Sequence, residues 1–437
     1  MASHPADLLF DALKAAIHHD DAPAVRSSLA RHPELKSKLD EPLFNFDSPA
    51  IIHAHSRPML DVLLEAGADI NARSRWWAGS FGILDCASPD LAAYAIGRGA
   101  RLDVHAAARL GMLDRLSQLI AADPTVVHAR GGDGQTPLHF ASTIEVAQFL
   151  LDRGADIDAR DVDHESTPAQ YMIRDRQAIA RYLVGRGCKT DILMAAALGD
   201  LELVRKHLDA DPACIRTNVS EQYFPKQDPR AGGAIYIWTL GPNKTAHLVA
   251  REFGHEDVLH LLVERSPEEL KMSLACELGD ERTFKAMLAY RPDLLHTMTD
   301  DDRRKLVNAA QNSNLQAVRL MLEAGWPADS YGQHGATALH WAAFHGNAEM
   351  VREILRFNPP LELADRDFQA TPLGWATYGS EHGWFRQTGD YVGAAELLCA
   401  AGAKVPENPS GTDAVKQVLR KYRAGPPLTP FPERESG

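Results

Sequence analysis

The feature that most constrains this chain is a spacing: an Ala, a small residue four positions later, and an apolar residue five beyond that. It recurs as Ala107-Gly111-Leu116, Ala195-Gly199-Val204, Ala250-Gly254-Leu259, Ala275-Gly279-Phe284 and Ala342-Gly346-Val351. Looser copies stand at Ala16-Asp20-Val25 and Ala309-Ser313-Val318. The pattern predicts a short helix ending at a left-handed residue, then a second helix whose apolar side folds back on the first. The small Ala lets the two axes approach closely. Units of this kind bury their apolar faces against neighbouring units, so the core is one-dimensional.

The second helix of each unit stops in one of two ways. Six ends read as a Leu-rich run followed by Gly: Gly67, Gly99, Gly154, Gly187, Gly325 and Gly402. Six stop at proline: Pro33, Pro124, Pro212, Pro267, Pro292 and Pro359. Glycine adopts the left-handed cap and proline lacks the donor N–H, so either terminates a helix. Twelve stops predict about twelve helical hairpins. Intervals such as 99 − 67 = 32 and 325 − 292 = 33 give the unit length, while 267 − 212 = 55 and 402 − 359 = 43 locate two insertions.

Several units open on Thr-Pro or Thr-Ala: Thr136-Pro137-Leu138-His139, Thr167-Pro168-Ala169-Gln170, Thr337-Ala338-Leu339-His340 and Thr371-Pro372-Leu373-Gly374. A Thr hydroxyl caps a helix and proline suits its first turn. With the spacing near 33, these motifs resemble the ankyrin repeat over roughly residues 7–405, most closely at 130–160 and 330–405. Gly335–Arg356 looks like a nearly complete copy, and Gly134–Asp158 like another. Units near 104–124, 191–212 and 270–292 lack the Thr-Pro-Leu-His opening, and Thr245-Ala246-His247-Leu248 inverts its last two positions. The resemblance implies an all-α solenoid of about twelve ankyrin-type helical hairpins with short β-hairpin fingers, two insertions and a concave face. It also implies that His139 and His340 form hydrogen bonds between units; His128 and His296, placed alike after proline, read as structural.

The expected organisation is an N-terminal repeat segment at 1–212, an aromatic-rich insertion at 213–242, a C-terminal repeat segment at 243–405 carrying an insertion at 377–391, and a terminal helix and tail at 406–437. Met1–Phe10 and Asp413–Arg423 are candidate end caps. Pro426–Pro432 reads as an extended or disordered tail.

Charge and cysteine content narrow the function classes. Forty-six Lys and Arg against 59 Asp and Glu leave a formal charge of −13, which disfavours a phosphate backbone as partner, and no local basic patch offsets it. Cys86, Cys188, Cys214, Cys276 and Cys399 are scattered, which argues against a disulfide framework or a cysteine zinc site and for a reducing compartment. The start lacks a basic segment followed by an apolar run, and no stretch approaches about 18 uninterrupted apolar residues. A cytoplasmic protein with no membrane and no nucleic-acid partner is expected.

On a solenoid the repeated positions serve packing, so function is sought where the rhythm breaks. The finger between Asn71 and Asp85 carries Arg75, Trp76, Trp77 and Phe81, aromatic where a tip is ordinarily polar; it reads as an aromatic wall or as a cap over the neighbouring core. The segment Val219–Asn243 holds Tyr223, Phe224, Arg230, Tyr236 and Trp238, and its β-branched and aromatic piece Ala234–Leu240 between Gly-Gly and Gly-Pro predicts a hairpin. The last full repeat inserts Thr377–Tyr391 between its helices, with Tyr378, His382, Trp384, Arg386 and Asp390 close in sequence to Trp341 and His345; binding and capping of the stack are both open for it.

Catalytic signatures are sparse. No P-loop and no dinucleotide fingerprint follows a strand-like run, so no cofactor is expected. His255 and His260 lie five apart and diverge by roughly 140° around a helix, unlike metal ligands four apart. His334, His345 and His382 are the histidines left for acid–base work, with Asp365, Asp367 and Asp390 as candidate carboxylate partners. The leading expectation, implied by the resemblance, is a non-enzymatic scaffold binding a protein with a basic patch on its concave face, anchored by Trp76, Trp77, Tyr223 and Trp238. The alternative is a pocket, closed by the insertions, for a small polar ligand such as a sugar or aromatic acid, with hydrolase or lyase chemistry by His345 or His382 if it is an enzyme.

Overall fold

A computed structural model describes residues 5–292, 298 and 300–424. His296 and the 426–432 tail lie outside the described residues, as does the start of the first candidate cap. Two compact units are present: Met1–Asp200 with Val219–Leu240, and Leu201–Asn218 with Gly241–Gly437. Twelve helical pairs follow one another among the described residues, counting the single turns Ala50–His53 and Pro137–Phe140 as first members, before a final helix at Asp413–Ala424.

The local rules read from sequence operate residue by residue. Gly67, Gly99, Gly154, Gly187, Gly325 and Gly402 all have φ between 89° and 104°. In the two looser copies, Asp20 (φ 54°) and Ser313 (φ 56°) take the left-handed turn that glycine takes elsewhere. Their short polar side chains find hydrogen-bond partners there, Asp20 Oδ1 accepting from His55 N (3.1 Å) and Ser313 Oγ lying 3.2 Å from His345 Nδ1.

The pair Ala338–Phe344 and Ala348–Leu355 shows how a unit is held. Thr337 N–H donates to His340 Nδ1 at 3.1 Å, which fixes the ring tautomer so that Nε2–H reaches Ala370 O, 3.1 Å away in the next unit. His139 does the same between Thr136 N (3.1 Å) and Ser166 O (3.1 Å). Leu339, Ala342, Met350, Val351 and Ile354 are fully buried, and the four larger side chains contribute about 1.5–3 kcal/mol each. In the first unit, Leu13 and Ile17 of helix Pro5–His18 are fully buried, as are Val415 and Leu419 of the final helix.

Three expectations are corrected. The fingers are not β-hairpins: among the described residues no strand forms, and only isolated bridges join Phe44 to Ser48 and Asn218 to Thr245. The fingers at 131–135 and 365–370 close through a single backbone bond across the tip, Gly131 N to Gln135 O (2.8 Å) and Asp365 N to Ala370 O (3.0 Å), too few to build a ladder. Ala234–Leu240 is not a hairpin strand but leads into one helical turn, Tyr236–Thr239, with Thr239 N on Ile235 O (3.0 Å) and Leu240 N on Tyr236 O (2.8 Å). Its aromatics obey long-range packing, since Tyr236 is fully buried with its hydroxyl on Asp191 (2.9 Å). Finally, the copy at Gly134–Asp158 has a first helix cut to one turn: its second-helix cap Thr143 stands seven residues after Thr136, whereas Asn347 stands ten after Thr337.

Candidate functional site

Two finger pairs repeat one construction, one pair in each unit. In the first unit, Asp133 lies three residues before Thr136, and Asp163 and His164 lie four and three before Thr167. In the second, His334, Asp367 and Phe368 hold the same positions before Thr337 and Thr371. The carbonyl of Asp133 accepts from Val162 N (2.8 Å) and Asp163 N (3.1 Å), and that of His334 from Arg366 N (2.9 Å) and Asp367 N (3.2 Å). A buried Asp braces each second finger from inside. Asp161 accepts from Ser166 N (2.7 Å), His164 N (2.8 Å) and the Tyr171 hydroxyl (2.9 Å). Asp365 accepts from Phe368 N (2.6 Å), Ala370 N (3.0 Å) and Trp375 Nε1 (2.9 Å).

The first pair is covered by the 219–240 insertion. Gly232 N donates to Asp163 O (2.9 Å) and Oδ1 (3.1 Å), Ile235 N donates to Ser166 Oγ (3.0 Å), and the Glu165 carboxylate receives Gln227 N and Asp228 N at 2.8 Å each. His164 Nδ1 lies 2.9 Å from Gly233 O. The Asn71–Asp85 finger closes against the same pair: a Cβ on Gly79 would sit 2.0 Å from Gly131 O, so only glycine permits the approach. Trp76 packs edge-on against Phe46 (5.1 Å), and Arg230 stands 4.3 Å over the Trp77 ring, joining finger and insertion. Trp76 and Trp77 are half-buried, as is Tyr223; Arg75 is exposed and pairs with Glu41 at 3.6 Å. Trp238 is 69% exposed beside His164 (6.4 Å between rings). An open hollow lined by Arg160, Val162, Glu165 and Gln227 flanks this assembly. Burial pushes the Asp133 carboxyl up to about 6, with His164 the first opposing influence. Trp76 Nε1 approaches Asp133 closely enough to favour its charged form slightly, yet Trp76 Nε1 and Asp133 Oδ1 are both buried without a hydrogen-bond partner.

The second pair is open and continues into an aromatic tract. His334 Nδ1 meets Asp367 Oδ2 at 2.9 Å, and its ring lies 5.2 Å from Phe368 and 6.2 Å from Trp341. Trp341 neighbours Trp375 (5.1 Å) and Trp384 (6.1 Å), and His345 lies against Trp384 (5.7 Å) and Phe385 (5.1 Å). The inserted residues reach this place because the helix runs on over Pro372–His382 before turning back. Gly379 lets it pass Phe344 O, which a Cβ would approach to 2.4 Å. Phe368 and Trp384 are 64% and 61% exposed, whereas Trp341 and His345, against Trp384, are 3% and 4% exposed. The Trp341 Nε1 and His345 Nε2 atoms have no hydrogen-bond partner. Burial holds His345 down to about 4, so its ring is neutral at pH 7, with Nδ1 3.2 Å from Ser313 Oγ.

The histidine–carboxylate pair formed from the sequence candidates is thus His334–Asp367. Asp365 serves as the brace, and Asp390 caps the next helix through Gly393 N (2.8 Å). His382 lies against Tyr378 with the rings tilted (4.7 Å, 42°), both exposed, and Arg386 is exposed on the same insertion. Sequence reasoning passed over Asp133, Asp163, His164 and Phe344. Counting positions back from each Thr would have aligned Asp133 with His334, which was singled out.

The family "Ankyrin repeats (3 copies)" matches residues 104–193, 246–363 and 306–406, more than half of the sequence. The chain belongs to the ankyrin-repeat family. Among curated proteins it is similar to palmitoyltransferase Hip14 of Drosophila melanogaster, 31% identical over 124 residues covering 28% of this chain and 18% of that protein. E3 ubiquitin-protein ligase XB3 of Oryza sativa subsp. japonica is 30% identical over 102 residues, 23% of each chain. Serine/threonine-protein kinase VIK of Arabidopsis thaliana is 51% identical over 66 residues, 13% of this chain and 15% of that one. The chain spans less than a quarter of the length of each. Among the described residues no helix is long and apolar enough to cross a membrane.

Proposed function

We propose that the protein is an interaction scaffold that docks a protein partner on the helical face and aromatic fingers of its repeats, with the tract from Phe368 to Phe385 as the principal contact. The observation that carries this reading is the exposed Trp384 ring lying against two buried side chains with unpartnered nitrogens, Trp341 Nε1 and His345 Nε2, with the exposed Phe368 ring farther along the same tract beside Trp375. Buried polar atoms lacking partners are costly, and a docked main-chain or side-chain acceptor would satisfy the indole N–H. Trp and neighbouring aromatics are the residues on which interface energy concentrates. Trp238 of the first unit is a second anchor, whereas Trp76, Trp77 and Tyr223 hold their own finger and insertion in shape. The formal charge of −13 favours a partner with a basic patch, chiefly through steering. Five unpaired cysteines accord with a cytoplasmic setting.

Quantitative affinity capture from the native host, comparing the wild-type chain with Trp384→Ala and Phe368→Ala, tests this. A partner retained by the wild type is expected to bind the purified variants roughly 30-fold more weakly, the size of a central anchor. Equal capture by all three chains would sink the proposal.

The same two nitrogens favour a second reading, a small ligand bearing a carboxylate or carbonyl that enters under Trp384. Thermal-shift screening with organic acids and sugars separates the two: a ligand-induced shift abolished by His345→Ala supports the small-molecule reading. His345 faces Ser313 and aromatic rings, with the paired carboxylate at His334, so this reading is one of binding without acid–base chemistry.

A further inference from the structure

The covered finger pair of the first unit contains a group the interaction reading does not use. One ligand atom each from Asp133, Asp163 and His164 lies within 4.8 Å of the others. His164 can give its Nδ1 proton to Gly233 O at 2.9 Å, which turns the Nε2 lone pair toward Asp163 Oδ2, 3.7 Å away. A lone pair and a carboxylate oxygen at that separation face one another with no hydrogen bond between them. Asp163 is 95% buried, since its exposure is 5%, and its other oxygen is already committed to Gly232 N. Asp133 Oδ1 is buried with no partner. Three acceptors therefore converge where a positive charge would satisfy all of them.

We propose that Asp133, Asp163 and His164 bind a first-row divalent cation that ties the fingers at 131–134 and 161–166 together and, through the contacts of Gly232 and Gly233 to Asp163 and His164, steadies the 219–240 insertion over them. One imidazole and two carboxylates suit Zn²⁺ or its neighbours, and an imidazole excludes the all-oxygen preference of Ca²⁺. Bonds of about 2.1 Å place tetrahedral donors roughly 3.4 Å apart, so a small side-chain rotation closes the set. The Nδ1–H to carbonyl bond is the outer contact that habitually orients a metal-bound histidine. The second unit supplies a built-in contrast. There Phe368 replaces His164, and His334 bonds Asp367 directly at 2.9 Å, leaving no third donor.

The test is titration of the full-length, chelator-treated chain with ZnCl₂ by calorimetry, alongside His164→Phe, which copies the sister finger, and Asp133→Asn, which keeps size and shape. One equivalent of Zn²⁺ is expected for the wild type, weakened at least 10-fold in each variant and unchanged in Asp367→Asn. Hydrogen exchange in the wild type is expected to slow at residues 227–240 when Zn²⁺ is added, and not in His164→Phe. Millimolar CaCl₂ is expected not to displace the ion. Equal Zn²⁺ affinity in wild type and Asp133→Asn, with native circular dichroism in both, would overturn the assignment, as would full displacement by Ca²⁺. His164 ring NMR shifts that do not respond to Zn²⁺ would overturn it too.

Discussion

The finger pairs at 133/163–164 and 334/367–368 share backbone and brace but differ in what covers them. In the first unit an insertion and an aromatic finger close over the tips, so Arg230 lies on Trp77 and His164 faces inward. In the second the tips stay open, and Phe368 and Trp384 face solvent. The same repeat geometry thus yields a closed, polar, carboxylate-rich centre in one place and an open aromatic surface in the other. The difference teaches that the scaffold fixes where side chains converge, while one residue, His164 or Phe368, and one covering segment decide what they converge for.

The largest expected effect tests the shared scaffold. Asp161→Ala and Asp365→Ala each strip three buried donors of their acceptor, and each is expected to cost about 3–5 kcal/mol. Urea unfolding should show it; a loss confined to one variant would break the parallel between the pairs.

Next comes acid. Burial lowers His53 to about 4 and His139 to about 3 in the first unit, and His247 to about 3 and His345 to about 4 in the second. Folded values below the ordinary 6.5 mean that the unfolded chain takes up protons first. Stability is therefore full above pH 6.5 and is lost as pH falls toward 4 and 3. Hydrogen exchange between pH 7 and 4.5 is expected to reveal weakening in both units. Asp133, raised to about 6, acts with the opposite sign and only in the first unit: its contribution is present below the ordinary carboxylate range and fades as pH rises through 6. In chelator, Asp133→Asn is expected to stabilise the first unit above pH 6 and to change little at pH 4. A pH-independent effect would remove this distinction between the pairs.

Smaller still is the cover itself. Arg230→Ala removes a cation over Trp77 together with its pair to Asp228 at 2.7 Å, and is expected to be read as faster exchange across 227–240 with little change in global unfolding. Trp384→Ala, at an exposed ring, is expected to alter stability by less than about 1 kcal/mol while weakening partner binding. A large unfolding effect from Trp384→Ala would make the tract a cap rather than a surface.

Much of the fold was legible because its causes are local. Left-handed glycines, Thr caps and the apolar face of each short helix depend on residues within one unit, so even Asp20 and Ser313 were placed correctly by position alone. The site was legible only in part. Trp384 lies in an insertion that breaks the repeat, close in sequence to Trp341 and His345 of the preceding regular unit, and the three do meet. That Arg230 covers Trp77, or that Gly233 orients His164 from 69 residues away, has no local signal. The turn at Tyr236–Thr239 was misread for the same reason, since its aromatic residues look strand-like until Asp191 anchors Tyr236.

Sequence alone determined the unit, its turns and its number, because each rests on hydrogen bonds and packing between residues close along the chain. Tertiary structure alone decided which departures from the repeat became structural and which stayed exposed. Glycine 79 passing Gly131, an insertion folding back over two fingers, and a helix extended past Phe344 bring distant residues to one point, and such meetings follow from the path of the chain rather than from any spacing within it.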